Sequence, residues 1–136
     1  MKNIFLFIVI ITLFNGCKKA IENIQQDIVI KAMTDGEWVV TSFTINGTNI
    51  SADFSSYKFK YYSNKTVDAV KNGSIEKTGN WDGNANTMTT SANFSNAVYP
   101  LILINGSWHI DNNSWTYVLA SQSSGADTKT MRLDKQ

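Results

Sequence analysis

His109 is the only histidine and Cys17 the only cysteine in this chain of 136 residues. That scarcity removes most of the chemistry side chains perform. A zinc site built on imidazole or thiolate needs several such ligands, and a nucleophilic cysteine needs a base beside it. Gly106-Ser107-Trp108 puts a serine after a glycine, but it lacks the second glycine and the strand-to-helix turn of a nucleophile elbow. Asp82-Gly83-Asn84 reads as a turn; the later ligands and closing glutamate of a calcium loop are missing. The other carboxylates are scattered, mostly in turns as at Asp111, with no pair suited to glycoside hydrolysis. We therefore expect no enzyme, no metal and no cofactor, and His109 reads as a strand residue with one polar tip.

What remains is aromatic. Trp38, Phe43, Tyr57, Phe59, Tyr61 and Trp81 form a candidate wall for a small hydrophobic or amphipathic ligand, since such sites are lined mainly by apolar and aromatic side chains. The same residues are also the natural core of a small domain. Length allows one domain. Formal net charge is +1, so no basic surface points to nucleic acid.

The N-terminus has its own logic. Met1-Lys2-Asn3 is followed by an almost unbroken apolar run, Ile4 to Phe14. That run is shorter than the ~20 apolar residues a spanning helix needs and fits a signal-peptide core. It ends at Phe14-Asn15-Gly16-Cys17, which resembles the lipobox of bacterial lipoproteins. Phe14 stands where leucine is usual, and Asn15 is atypical. The resemblance implies a signal peptide over residues 1–16 and Cys17 as the lipidated first mature residue, bearing acyl chains such as palmitate. Membrane attachment then needs no transmembrane helix. It also implies a cell-envelope location, in the outer membrane, facing periplasm or surface. Lys18 and Lys19 follow, without the adjacent acidic pair that some surface-export signals use.

Residues 17–34 read as a tether with a short helix, because Ile21, Ile24, Ile28 and Ala32 recur at helical spacing. A tether lying against the domain is the preferred reading over a helix that plugs a barrel. Thr34-Asp35-Gly36 ends it.

From residue 35 to 136 the period changes to alternation. In Trp38 to Ile45, Val39, Thr41, Phe43 and Ile45 share one face. Tyr57-Lys58-Phe59-Lys60-Tyr61 puts aromatics on one face and lysines on the other. Asn46-Gly47 and Asn72-Gly73 are hairpin turns. Further strands are expected at 66–71, 74–81, 87–91, 107–111, 114–120 and 128–134, with a polar loop at 121–126. Val98 to Ile104, interrupted by Pro100, reads as an apolar connection that caps the domain. About eight short strands in sequential hairpins predict an all-β fold, a small antiparallel up-and-down meander barrel.

One step recurs: Gly36-Glu37-Trp38, Gly79-Asn80-Trp81 and Gly106-Ser107-Trp108. Glycine allows close backbone approach where strands bend, and tryptophan covers a barrel end with apolar surface. Gly-x-Trp at the first strand resembles the lipocalin signature. Its repeats near the fourth and sixth strands resemble the compact lipocalin-like domains of bacterial lipoproteins, over nearly all of residues 35–136. The resemblance implies a basic residue against the first tryptophan; Arg132, the only arginine, is placed there because the last strand of a closed meander runs antiparallel to the first. The chain is shorter than a full lipocalin and has neither the C-terminal helix nor a disulfide.

The reading that follows is a monomeric, lipid-anchored lipocalin-like protein binding a small hydrophobic ligand. The alternative is a filled barrel acting through its surface on a protein partner in the envelope, as an interaction or inhibitor module. Exposed aromatics among Trp108, Trp115 and Tyr117 would then matter.

Overall fold

A computed structural model describes the backbone of residues 2–136 and the side chains from Lys18 onward. The predicted signal peptide and Cys17 lie outside the residues whose side chains are described. One helix, α1 (Lys2–Thr34), precedes nine strands: β1 (Trp38–Ile45), β2 (Thr48–Asn49), β3 (Tyr57–Tyr61), β4 (Thr66–Lys71), β5 (Ser74–Asn84), β6 (Thr89–Asn93), β7 (Gly106–Asn113), β8 (Tyr117–Ser124) and β9 (Asp127–Lys135). Short 3-10 turns lie at Ser51–Phe54 and Leu101–Ile104.

Strands β3 to β9 pair with their sequence neighbours, and β9 returns to β1 from Trp38↔Lys135 to Ile45↔Lys129. With β2 folded back as a flap on β1, the result is the expected closed, eight-stranded antiparallel meander barrel. The Asn-Gly hairpins work as their residue types dictate. Asn72 and Gly73 both have positive φ, 51° and 82°, the conformation a two-residue turn needs to match strand twist.

The seam between β1 and β3 is the weakest, with one register pair, Trp38↔Phe59. Beyond it the 3-10 turn at Ser51–Phe54 takes over from β3. The Phe43 N–H donates to Ser51 Oγ at 2.9 Å and the Phe43 carbonyl accepts from the Ile50 N–H at 2.9 Å, so the unpaired strand backbone is satisfied.

Some local expectations shift. A β-bulge between Val40 and Ser42 breaks the alternation of β1. Trp38 and Val40 face inward before it and Phe43 after it, since an extra residue flips the parity of all that follow. The polar loop expected at 121–126 is mostly strand, because β8 pairs with β9 through Ser124↔Asp127. The apolar connection Val98 to Ile104 does cap the barrel, with Leu101 and Ile104 buried; Phe94 and Ala97, just before it, are buried as well.

The helix corrects two expectations. It is not a tether resting on the wall: Val29, Ala32 and Met33 help to line the barrel interior. Its C-terminal carbonyls are held from the barrel, where Met33 O accepts from the Trp38 indole at 2.9 Å and Thr34 O from Lys60 Nζ at 3.2 Å. The Gln26 amide donates to the Gly83 carbonyl and accepts from the Ala85 N–H at 3.1 Å, bridging α1 to β5 and its turn. Of the face picked by helical spacing, Ala32 lines the interior, and the three isoleucines point largely to solvent. Ile21, Ile24 and Ile28 are 57%, 60% and 48% exposed, while Gln26, Val29, Ile30 and Met33 turn toward the barrel.

Candidate functional site

The barrel interior has two halves of different character. Toward the 3-10 turns it is solid aromatic packing. Phe43 stacks on Phe54 at 4.9 Å between centroids and meets Trp108 edge-on at 5.8 Å. Tyr57 and Phe59 stack at 6.1 Å, and Phe59 reaches Phe94 at 6.3 Å. These are favourable aromatic geometries, and they leave no room for a ligand. Tyr57 donates from its hydroxyl to Glu76 Oε2 at 2.5 Å. Burial, with that hydrogen bond and the Glu76 charge, pushes its hydroxyl up to about 12.

Toward α1 the interior opens into an apolar cavity of about 60 Å³. Its walls are the helix residues Val29, Ala32 and Met33; the rings of Trp38, Tyr61, Trp81 and Trp108; and the aliphatic groups of Ile110, Val118, Met131 and Leu133. Polar groups come mainly from Thr90, Ser91, Asn113 and Ser114. Burial alone raises the pKa of Tyr61, as expected of a phenol in an apolar setting.

All three Gly-x-Trp tryptophans line this cavity, and each is built the same way. Every indole N–H donates to the carbonyl of a segment that closes a barrel end: Trp38 to Met33 of α1 at 2.9 Å, Trp81 to Tyr62 of the β3–β4 turn at 2.9 Å, and Trp108 to Ile104 of the second 3-10 turn at 2.8 Å. A lysine ammonium also lies over each ring, Lys135 on Trp38 at 5.2 Å, Lys65 on Trp81 at 5.0 Å and Lys129 on Trp108 at 5.6 Å. Burial lowers the pKa of Lys129, which also donates to Leu103 O at 3.2 Å. The glycines differ in their reasons. Gly36 and Gly106 have φ of +84° and +106°. Gly79 is needed for space: a Cβ there would lie 2.5 Å from Asn93 O and 2.7 Å from Phe94 Cδ1.

Arg132 is not over Trp38. It pairs with Ser42 in register, lies 4.6 Å from the Tyr117 ring, and makes two 2.9 Å hydrogen bonds to Asp134. The closure of β9 on β1 is as expected, but Lys135 is the register partner of Trp38. Met131 and Leu133 point inward, so alternation sends Arg132 out.

Of the six aromatics named from sequence, Trp38, Tyr61 and Trp81 line the cavity, whereas Phe43, Tyr57 and Phe59 belong to the solid half. Spacing missed the helix wall. Val29 and Met33 sit at i and i+4, a second apolar row that the isoleucines outweighed. Met131 and Leu133, two apart in the last strand, carried the usual signal of a shared inward face. Of the surface aromatics, Trp108 is 1% exposed and so buried, Trp115 is half exposed, and Tyr117 lies under the Arg132 guanidinium.

Elsewhere polar groups pair with one another. His109 Nδ1 lies 3.0 Å from Asp111 on the surface. Asp68, the one buried carboxylate among the described residues, accepts from Tyr62 at 3.0 Å and Thr78 at 2.6 Å. Among the described residues no three histidine, cysteine or acidic side chains gather as a metal site would need, and no helix is long and apolar enough to cross a membrane.

No protein-family model and no curated protein matches the chain. Solved structures do. A DUF4847 family protein from Bacteroides vulgatus ATCC 8482 superposes with a TM-score of 0.56 at 14% identity, covering 79% of this chain and 99% of that one. Japanin from Rhipicephalus appendiculatus, solved bound to cholesterol, superposes with a TM-score of 0.53 at 9% identity, covering 76% of each chain. At such identities the likeness speaks for the fold alone. The chain is a closed, lipocalin-like antiparallel barrel of eight strands with a helix across one end.

Proposed function

We propose that this protein is a non-enzymatic, lipid-anchored protein of the cell envelope that binds a small hydrophobic or amphipathic molecule in the cavity between α1 and the barrel. The observation that carries the reading is that cavity, apolar and walled by three tryptophans, where a barrel of this size could have been filled throughout. The same fold in Japanin holds cholesterol, which supports the capacity of such barrels for apolar ligands. At about 60 Å³ the space is well below the ~300 Å³ of a drug-sized site. A ligand of that size enters as α1, which supplies one wall, moves aside.

Native mass spectrometry of protein purified from its own cells tests the binding. The expected result is a co-purifying hydrophobic mass, lost on denaturation. Bare protein that also fails to bind apolar fluorescent probes would refute it. Metabolic labelling with a fatty acid tests the anchor, and Cys17→Ser should abolish the label.

A second reading has one observation behind it. Val98, Tyr99 and Ile102, on the connection capping the solid end, are 66%, 56% and 49% exposed. Exposed apolar clusters of this kind mark interaction surfaces. Under this reading the protein acts on an envelope partner through that end, and substituting Tyr99 and Ile102 with serine would abolish partner capture while probe binding persists.

A further inference from the structure

Helix α1 has two apolar faces, and the barrel uses only one. Val29, Ile30 and Met33 turn toward the barrel with Gln26. By the 3.6-residue repeat, Ile21, Ile24 and Ile28 stand on the other side, each roughly half exposed or more. Leaving isoleucines in water along one row of a helix is unfavourable; Ile28 borders a surface groove with Met88 and Ile110 and still stays half exposed, and Ile21 and Ile24 are more exposed. Lys18 and Lys31, both exposed, fall on the two flanks of that row in the helical repeat. Asp27, one turn before Lys31, is the nearest carboxylate on that side, and Glu22 turns toward the barrel. The proposed lipid-bearing residue, Cys17, precedes Ile21 by only four residues in the sequence, so an anchor there would hold this part of α1 near the bilayer.

We infer that this outer face of α1 is a membrane-docking surface. The helix lies flat on the bilayer, with Ile21, Ile24 and Ile28 in the boundary between headgroups and acyl chains and Lys18 and Lys31 at the anionic headgroups. This is the arrangement of interfacial amphipathic helices, whose apolar face sinks ~5–10 Å into that boundary while basic residues flank it. Burying the isoleucine row adds apolar area to the attachment that the acyl chains of Cys17 would give. The inference rests on the lipid-anchor reading above. It places α1 between bilayer and cavity, so an apolar ligand has only the thickness of one helix to cross, ~10–12 Å.

The test uses full-length protein isolated from its membranes and reconstituted in vesicles of phosphatidylethanolamine and phosphatidylglycerol. Cys17 is the only native thiol, and lipidation consumes it, so Ile24→Cys, Ile28→Cys and Asn23→Cys each give one site for a maleimide fluorophore. Docking predicts strong quenching at 24 and 28 by lipids carrying a nitroxide near the headgroup, with shielding from aqueous iodide. Position 23 should show the reverse. Iodide access at 24 and 28 equal to that at 23 would overturn the inference. So would shielding without nitroxide quenching, which would mean a second copy covers the row. Wild-type protein is the control for the anchor: if it takes up fluorophore at Cys17, the anchor reading fails, and the docking inference with it. An unlabelled wild type with an iodide-accessible position 24 overturns docking alone.

Discussion

Substituting Gln26 by alanine separates α1 from the barrel without touching the cavity wall. The Gln26 amide makes both a donor bond to the Gly83 carbonyl and an acceptor bond to the Ala85 N–H. It is the polar clip between the middle of the helix and β5. Each hydrogen bond contributes a net ~0.5–1.5 kcal/mol, so losing both costs the docked state about 1–3 kcal/mol. The two backbone groups sit at a barrel end, where water can reach them once the clip is gone. Alanine also favours helix over glutamine, so the helix itself survives. A shift of ~1–3 kcal/mol multiplies the undocked population about 5- to 150-fold. If α1 must move for an apolar molecule to enter, the association rate of a fluorescent probe such as anilinonaphthalene sulfonate rises by that factor. Apparent affinity improves too, because less of the protein is held in the closed form. Stopped-flow fluorescence measures the rate, and circular dichroism confirms the fold. An unchanged rate in a folded variant would show that α1 is not the gate. Loss of binding would show that the docked helix is a required part of the site.

Three further outcomes follow from the packing. Gly79→Ala must move backbone at Asn93 or the Phe94 ring and should destabilise by ~1–3 kcal/mol; a thermal melt equal to wild type would contradict the tight approach. Trp108→Ala should cost ~3–5 kcal/mol, while Trp115→Ala at the half-exposed position should stay within ~0.5 kcal/mol; urea titrations compare them. Tyr57 has its folded-state pKa raised to about 12 by burial and by Glu76. Its contribution to stability is therefore complete below the unfolded value of ~10 and is lost as pH rises through the folded one. Melting temperatures of wild type should fall over that alkaline window more steeply than those of Tyr57→Phe, and parallel curves would refute the assignment.

The fold was largely legible because hairpin connectivity is local. Asn-Gly turns and alternating runs specify neighbouring strands, and a meander of such pairs has little choice but to close β9 on β1. The candidate site was less so. Alternation says which residues share a face within one strand, not which half of a barrel they occupy. Tyr57 and Tyr61 lie on the same face of β3, yet one is packed solid and the other borders the cavity. The difference comes from Phe54, which packs on Tyr57 from outside the strand, as Phe94 does on Phe59. Helical spacing likewise picked the row Ile21, Ile24, Ile28 and Ala32 on α1, whereas Val29 and Met33 belong to the side that docks. Gln26 settles that through the backbone of Gly83 and Ala85, far away in sequence.

The sequence by itself determined how the chain runs. The period-two runs separated by turn dipeptides make a small β-barrel. Three Gly-x-Trp steps marked the aromatic frame. Tertiary structure alone decided that the three tryptophans converge on one cavity, that Lys135 rather than Arg132 covers Trp38, and that α1 forms a wall. The reason is register. Trp38 and Lys135 are brought together only by barrel closure, and a single bulge at Val40/Ser42 resets which side chains of β1 face in. Such long-range pairings depend on every strand between them, and no local pattern encodes their sum.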